Sequence, residues 1–462
     1  MENLEGKILT AVSGEHYTLS SIIGEGAQGI VYNTENNQVV KLYKHESDIS
    51  DRNKLKKIDW LMKIDLPDQF IKPLDVFKEP YIGYAMKKVS RHISLNKLLI
   101  PDRNLPFHEW YNDKTGGLNR RLYIAYKIAM QFAELHKKNL AYCDISGNNI
   151  LVNEDPRIVS VCMIDIDNIY IPGNDDINIL GTSSYMAPEI LKRQFNPDTF
   201  TDIYSLAVIL FELLRSGHPY IGDMVEDASP DNMTEAYKGV YPYVDDPDTD
   251  INRSSQMLPA EAVFTTELQQ LFAKTFVAGK ENRLERTSAG EFANALLKAR
   301  NLIVKCGHCG QWHYAKPDRE RKYICPWCDT EYENPMRLAF YNKYHFKPSA
   351  PVKDEHVYDY VLKKKNEITN NYIKDIYAEN AAKRFDVYCK IETRPDGKLY
   401  LLNNNNNELF VQQNGRGKFI AVNKELEINK GDYILFCDIS KVDYKQLDGH
   451  SQGVFFRYAV VK

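Results

Sequence analysis

Apolar and polar positions alternate in two distinct periods along this chain, and the periods change at definite places. Residues 17–32 (Tyr-Thr-Leu-Ser-Ser-Ile-Ile-Gly-Glu-Gly-Ala-Gln-Gly-Ile-Val-Tyr) read as a strand, a glycine-rich turn and a second strand. Asn36-Asn37 marks a hairpin, and Gln38 to Tyr43 reads as a strand carrying Lys41. Residues 52–64 place Leu55, Ile58, Leu61 and Met62 on one helical face. Residues 66–90 return to strand-like sequence, ending in Tyr84-Ala-Met-Lys-Lys-Val89. A strongly periodic helix spans 119–139, with Leu122, Ile124, Ala125, Ile128, Phe132 and Leu135 inward. Val159 to Asp165 reads as a strand ending in an acid, and Thr201 to Leu210 opens a very apolar helix.

The second half has a different texture. Residues 353–384 are charged and lack Gly and Pro, which predicts one or two connector helices after a break between Pro348 and Pro351. From 385 onward short β-prone runs alternate with turn signals. Predicted strands cover 385–391, 399–402, 409–411, 419–422, 433–436 and 454–461, and the run Asn403 to Asn407 is a loop by composition. A small sandwich or barrel fits this spacing.

Composition narrows the class. A chain of 462 residues predicts two to four domains, and 43% hydrophobic with 26% charged residues is ordinary for globular protein. A net charge of -4 gives no sign of nucleic-acid binding. No stretch has the length and apolarity of a membrane span, so a cytoplasmic location is expected. Of eight cysteines, Cys143, Cys162, Cys389 and Cys437 stand alone and read as reduced thiols.

The candidate chemistry lies in ordered motifs. In Leu140-Ala-Tyr-Cys-Asp-Ile-Ser-Gly-Asn-Asn-Ile-Leu-Val152, Asp144 stands five residues before Asn149. Asp165 follows 16 residues after Asn149, a spacing suited to a β-hairpin that brings both to one metal ion. Gly24, Gly26 and Gly29 form G-x-G-x-x-G, but the residues after them are β-prone, not helical as a dinucleotide fold requires. Gly181-Thr-Ser-Ser-Tyr-Met-Ala-Pro-Glu189, Asp202 and Arg286 complete the series.

Residues 17–300 therefore resemble a eukaryotic-like bacterial serine/threonine protein kinase. The resemblance implies a bilobal fold with ATP between the lobes. It implies that Lys41 holds the nucleotide phosphates, that Asp144 is the base, and that Asn149 and Asp165 bind magnesium. It places Gly24, Gly26 and Gly29 over the phosphates. Val31, Val39 and Leu151 would sandwich the adenine, with Met86 behind it and the backbone of Lys87 to Val89 along its edge. Asp202 would cap the catalytic-loop backbone, and Glu189 would pair with Arg286. Three departures stand out. Cys143 replaces the arginine that usually precedes the base. Ser146 replaces the lysine two residues after it. The 52–64 helix has no glutamate for Lys41, which leaves Asp59 as the nearest acid. The alternative is a nucleotide-binding pseudokinase scaffold; an Asp59 that reaches Lys41 would favour the active enzyme.

Cys306-Gly-His-Cys309 and Cys325-Pro-Trp-Cys328 are two C-x-x-C pairs separated by 15 residues. Four thiolates on two tight turns suit one structural zinc ion, and the stretch resembles a zinc ribbon. Gln311 to Tyr314 and Arg321 to Ile324 are its expected hairpin strands. Asn414 to Asn423 with Ile428 to Ile434 resembles the end of a forkhead-associated β-sandwich. The combination also resembles bacterial kinases that act with a von Willebrand-type protein and a phosphatase. The expected architecture is thus multidomain α+β. It comprises a kinase domain at 1–300 (small lobe 17–90, large lobe 91–300), a zinc ribbon at 301–335, a helical connector at 336–384 and an all-β domain at 385–462.

Overall fold

The computed structural model describes residues 3–26, 28–44, 47–173, 181–225, 229–316, 322–345, 353–373, 383, 385–438 and 454–462. The chain divides into two compact units, Met1–Leu296 and Leu297–Lys462.

The first unit begins with an antiparallel sheet of six strands: β1 (Ile8–Thr10), β2 (His16–Glu25), β3 (Gly29–Thr34), β4 (Gln38–Tyr43), β5 (Pro73–Phe77) and β6 (Gly83–Lys87), in the order β1-β2-β3-β4-β6-β5. Its outer strand β1 lies ahead of the predicted start at 17. Just beyond β1, Val12 N–H donates to Val76 O of β5 at 2.9 Å, so this stretch reaches the far edge of the sheet. Two glycines allow the central strands to close up. A Cβ on Gly29 would lie 2.2 Å from Leu42 O, and one on Gly83 would lie 2.1 Å from Lys41 O. The helix Asp48–Lys63 connects β4 to β5. The Ser47 side chain caps it by accepting from Ser50 N–H. Leu55, Ile58 and Met62 pack it against Val39, Tyr84 and Met86 of the sheet.

The rest of this unit is mostly helical. The helix Gly117–Lys137 buries every apolar position predicted for it. The helix Thr199–Arg215 is buried along almost its whole length and starts in a capping box between Asp198 and Thr201. Such side chains each contribute about 1.5–3 kcal/mol when fully buried. They hold a small sheet of β7 (His92–Ser94), β8 (Ile150–Asn153) and β9 (Val161–Met163), in which β8 is central.

The second unit opens with two separate hairpins, β10 (Ile303–Lys305) with β11 (Trp312–Tyr314), and β12 (Tyr323–Ile324) with β13 (Glu331–Tyr332). The two strands expected to form one hairpin thus each pair across their own Cys-x-x-Cys turn. Arg321 lies outside the described residues. Val304, Ala315, Tyr323 and Tyr332 of this region share one core cluster with Val361.

The helical connector is overturned. The stretch forms β14 (Arg337–His345), β15 (Lys353–Val361) and β16 (Lys365–Thr369), then one short helical turn, Asn370–Ile373. Freedom from Gly and Pro does not separate helix from strand; long-range pairing decides here. Leu338 of β14 lies opposite Val461 near the end of the chain. Charge is compatible with strand here: Arg337 Nε of β14 pairs with Asp359 Oδ1 of β15 at 3.0 Å. The residues from 374 to 382 and residue 384 lie outside the described set.

The remaining strands are β17 (Val387–Thr393), β18 (Leu399–Leu402), β19 (Phe410–Gln412), β20 (Ile420–Ala421), β21 (Glu425–Ile428), β22 (Tyr433–Leu435) and β23 (Val454–Val461). They complete two antiparallel sheets, ordered β15-β14-β23-β22-β19-β20 and β16-β17-β18-β21. Phe340 stacks on Phe436 and Tyr372, and Tyr388 contacts Phe436 edge-on, which ties the sheets together. The β region therefore begins at 337, not 385. Every strand expected after 385 is present, and β21 is an addition.

Candidate active site and metal centre

The polar site of the first unit is assembled from three short pieces. Lys41 lies in β4, directly opposite Tyr84 of β6, and Tyr43 follows two positions later on the same face. The β8–β9 hairpin pairs Ile150 with Met163, which sets Asn149 beside the chain leading to Asp165. Ile164 N–H donates to Asn149 O at 2.9 Å. Asp165 itself sits in the left-handed region at φ 59°, a conformation that Asp tolerates better than most residues. That turn swings the chain into one 3-10 turn, Ile166–Asn168.

Lys41 is buried, and its Nζ donates to both Asp165 Oδ1 and Asp167 Oδ2, the latter at 2.6 Å. Burial pulls its ammonium pKa down, but Asp167 and Asp165 outweigh that and lift it above the usual lysine value. Asp167 also accepts from Tyr43 at 2.7 Å and Tyr84 at 2.8 Å. Burial first, then the Asp167 charge, pushes both phenols well above their ordinary pKa.

Asp59 is not the partner of Lys41. It is exposed and pairs with Lys63 at 2.6 Å. The helix register explains this, because Leu55, Ile58 and Met62 face the sheet and position 59 falls outside that face. Asp167, two residues past Asp165, is the acid on Lys41 that sequence reasoning missed.

The loop that carries Asp144 is held by Asp202. Asp202 accepts from Tyr142 N–H at 2.6 Å and Cys143 N–H at 2.9 Å, as the sequence predicts. Asp144 Oδ2 accepts from Asn149 Nδ2 at 2.9 Å, and the same amide donates to Asp144 O at 2.9 Å. Burial raises the Asp144 carboxyl pKa, the Asn149 amide opposes this, and the Asp165 charge adds to it. Cys143 stands in the left-handed region at φ 71° and is half-buried, so no cation faces the segment from this position. Ser146 is buried.

Val31, Val39 and Met86 share one apolar cluster. Leu151 lies half-buried on β8 and outside that cluster, Val89 is half-buried, and Lys87 is exposed at the end of β6. Gly24 and Gly26 face open space, while Gly29 is required by packing against β4. Residue 27, between them, is not described.

Arg286 forms a two-pronged ion pair with Glu189, at 2.7 and 2.8 Å, and also donates to Gly279 O and Phe200 O. Both groups are buried, so removing one strands the other. Arg286→Ala is expected to lower stability by about 3–5 kcal/mol, read as a fall in the urea midpoint of the unfolding transition. A change below about 1 kcal/mol would show the pair to be ornamental.

In the second unit the sulfurs of Cys306, Cys309, Cys325 and Cys328 all lie within 4.8 Å of one another. Cys306 and Cys328 are 3.6 Å apart, and Cys309 and Cys325 are 3.8 Å apart. A tetrahedral ion with bonds of about 2.3 Å to sulfur needs edges near these lengths, so the donor set fits zinc. His313 is buried between the rings of Tyr323 and Tyr332 and is no part of this group. The oxygen donors of Asp165 and Asn149 are of the kind that magnesium takes.

A two-lobed unit with a paired strand lysine, a capped acid-bearing loop and a buried Glu–Arg clamp defines the protein-kinase class. The chain belongs to the protein kinase domain family, whose model matches residues 17–295. It is similar to protein kinase YegI of Escherichia coli strain K12, 26% identical over 351 residues, covering 70% of this chain and 50% of that protein. It is also similar to serine/threonine-protein kinase PknD of Chlamydia abortus, 27% identical over 245 residues, covering 45% of this chain and 25% of that protein. A third relative is the probable serine/threonine-protein kinase kinY of Dictyostelium discoideum, 28% identical over 209 residues, covering 42% of this chain and 35% of that protein. The chain thus spans half or less of the length of these relatives. Among the described residues no helix is long and apolar enough to cross a membrane.

Proposed function

We propose that this protein is a magnesium- and ATP-dependent kinase of protein serine and threonine hydroxyls. The observation that carries the reading is Asp144, partly desolvated, braced by Asn149 and close enough to Asp165 to feel its charge. In the transfer, the acceptor oxygen bonds to the γ-phosphorus, the bond to the ADP oxygen breaks, and Asp144 takes the hydroxyl proton. Lys41 binds the nucleotide phosphates, and Gly24, Gly26 and Gly29 let backbone approach them. Val31, Val39, Met86 and Leu151 enclose the adenine, with the backbone of Lys87 and Val89 along its edge. Asn149 and Asp165 hold magnesium, which supplies charge neutralisation when bound. The names of the relatives support serine and threonine as acceptors. Phosphoamino-acid analysis of a generic protein acceptor after incubation with magnesium and ATP tests this. Phosphoserine and phosphothreonine are expected; phosphotyrosine alone would overturn the specificity.

Cys306, Cys309, Cys325 and Cys328 hold one structural zinc ion on this reading, and the second unit serves partner recognition. A von Willebrand-type protein and a phosphatase are the partners its architecture suggests, in the cytoplasm.

Activation by phosphorylation of the Gly181–Glu189 segment is not expected. Asp165 to Glu189 contains no Lys or Arg, and Cys143 replaces the arginine that would clamp a phosphate. An added charge of about -1.5 to -2 would meet no counterion from the segment itself. Initial rates of dephosphorylated and autophosphorylated protein are expected to agree within about threefold. Tenfold activation tracking phosphate on Thr182, Ser183 or Ser184, about 1.4 kcal/mol of barrier, would contradict this.

A further inference from the structure

Among the described residues Lys41 pairs with two carboxylates, and a magnesium-binding site needs one of them. Asp165 is the more exposed of the two, with 32% of its side chain open to solvent against 8% for Asp167. Asp167 is held on both oxygens, Oδ2 by Lys41 and Tyr43 and Oδ1 by Tyr84. All three donors come from β4 and β6, whose register puts them on one face. Asp59, the nearest acid by sequence spacing, is turned to solvent and paired with Lys63.

We propose that Asp167 is the standing counterion and positioning residue of Lys41, so that Asp165 is released to magnesium while the lysine stays charged and in place. The proposal rests on the kinase reading above and deepens it. A buried ammonium with no fixed partner takes whichever carboxylate is nearest. Without Asp167, Lys41 would claim Asp165 and compete with the metal for it. The β3–β4–β6 sheet and the turn after β9 are thereby joined through one carboxylate. The small-lobe helix contributes packing to this arrangement, through Leu55, Ile58 and Met62, and among the described residues no ion pair to Lys41.

The test uses the full chain, with magnesium as the varied ligand. Binding of ATP is measured by calorimetry across a magnesium series, alongside initial rates of phosphoryl transfer, for wild type, Asp167→Asn and Asp59→Ala. Asp167→Asn keeps the size and one acceptor oxygen, removes the charge and turns the other acceptor into a donor. Its half-saturating magnesium concentration is expected to rise about tenfold or more, with turnover recovering substantially at high magnesium. A merely structural defect would not be relieved by magnesium. Asp59→Ala is expected to match wild type in both readouts. Wild-type magnesium dependence in Asp167→Asn, or the shift appearing in Asp59→Ala instead, would overturn the proposal. Normal magnesium-dependent ATP binding by wild type without transfer would defeat the enzyme reading and leave the binding comparison to judge Asp167. Failure of wild type to bind ATP at any magnesium concentration would defeat both. Should Asp167→Asn not fold, the Lys41→Met/Asp167→Asn pair is expected to restore thermal stability above that of the single variant. No such recovery would count against the pairing.

Discussion

Asp165→Ala protein is expected to lose both magnesium-dependent nucleotide binding and turnover, whereas Asp144→Ala loses turnover alone. The geometry separates the roles. Asp165 ends the β8–β9 hairpin beside Lys41, the residue assigned to the nucleotide phosphates. Asp144 sits on the loop below, tied to Asn149 and to the backbone that Asp202 caps. Loss of even an outer group costs a metal site about 10–100-fold in affinity, and for Asp165 as the proposed direct ligand that range is a floor. Losing a positioned proton acceptor costs about 100–10,000-fold in rate while leaving the nucleotide's own contacts in place. Calorimetric titration with magnesium and ATP reads the first effect, and single-turnover rates read the second. Intact nucleotide binding in Asp165→Ala would remove that residue from the metal site.

The second large effect concerns the cysteine cluster. Purified protein is expected to carry one zinc per chain without added metal, and stripping it is expected to unfold the region around β10 to β13. Those strands form only two-residue and three-residue hairpins, too short to be stable alone. Their apolar cover is the small cluster of Ala315, Tyr323 and Val361, with Leu302, Val304 and Tyr332 against it. Four thiolates on one zinc ion would supply the remainder, on the order of 10–16 kcal/mol of apparent binding energy near neutral pH. Because Val361 ends β15, the disturbance should spread into the edge of the larger sheet. Elemental analysis, with hydrogen exchange before and after chelation, checks both parts. Less than half an equivalent of zinc after chelator-free purification, or unchanged exchange after its removal, would contradict them.

Local signals carried most of the kinase unit. The 3.6-residue period of Leu122 to Leu135 and the glycine pattern at 24 to 29 both translate into elements within a few residues. Asp202, Glu189 and Arg286 meet the partners that the resemblance to protein kinases implies, although no local signal links them. Whether Asp59 reaches Lys41 stayed open in the sequence for want of helical phase, since spacing from Lys41 says nothing about which face a residue takes. Asp167 was visible as a letter but not as a partner, because its role depends on Tyr43 and Tyr84 from other strands. The 336–384 stretch was misread as a helical connector for a related reason. Its first strand β14 pairs with β23, roughly a hundred residues away and beyond any local period, and β15 in turn pairs with β14.

The most direct measurement is the initial rate of radiolabel transfer from γ-labelled ATP to a protein acceptor, by wild type and Asp144→Ala purified side by side in magnesium. Label on serine and threonine from wild type, and at least about a hundredfold less from the variant, is the predicted result. Equal incorporation by the two proteins would contradict it, because the label would then come from chemistry that does not use this site.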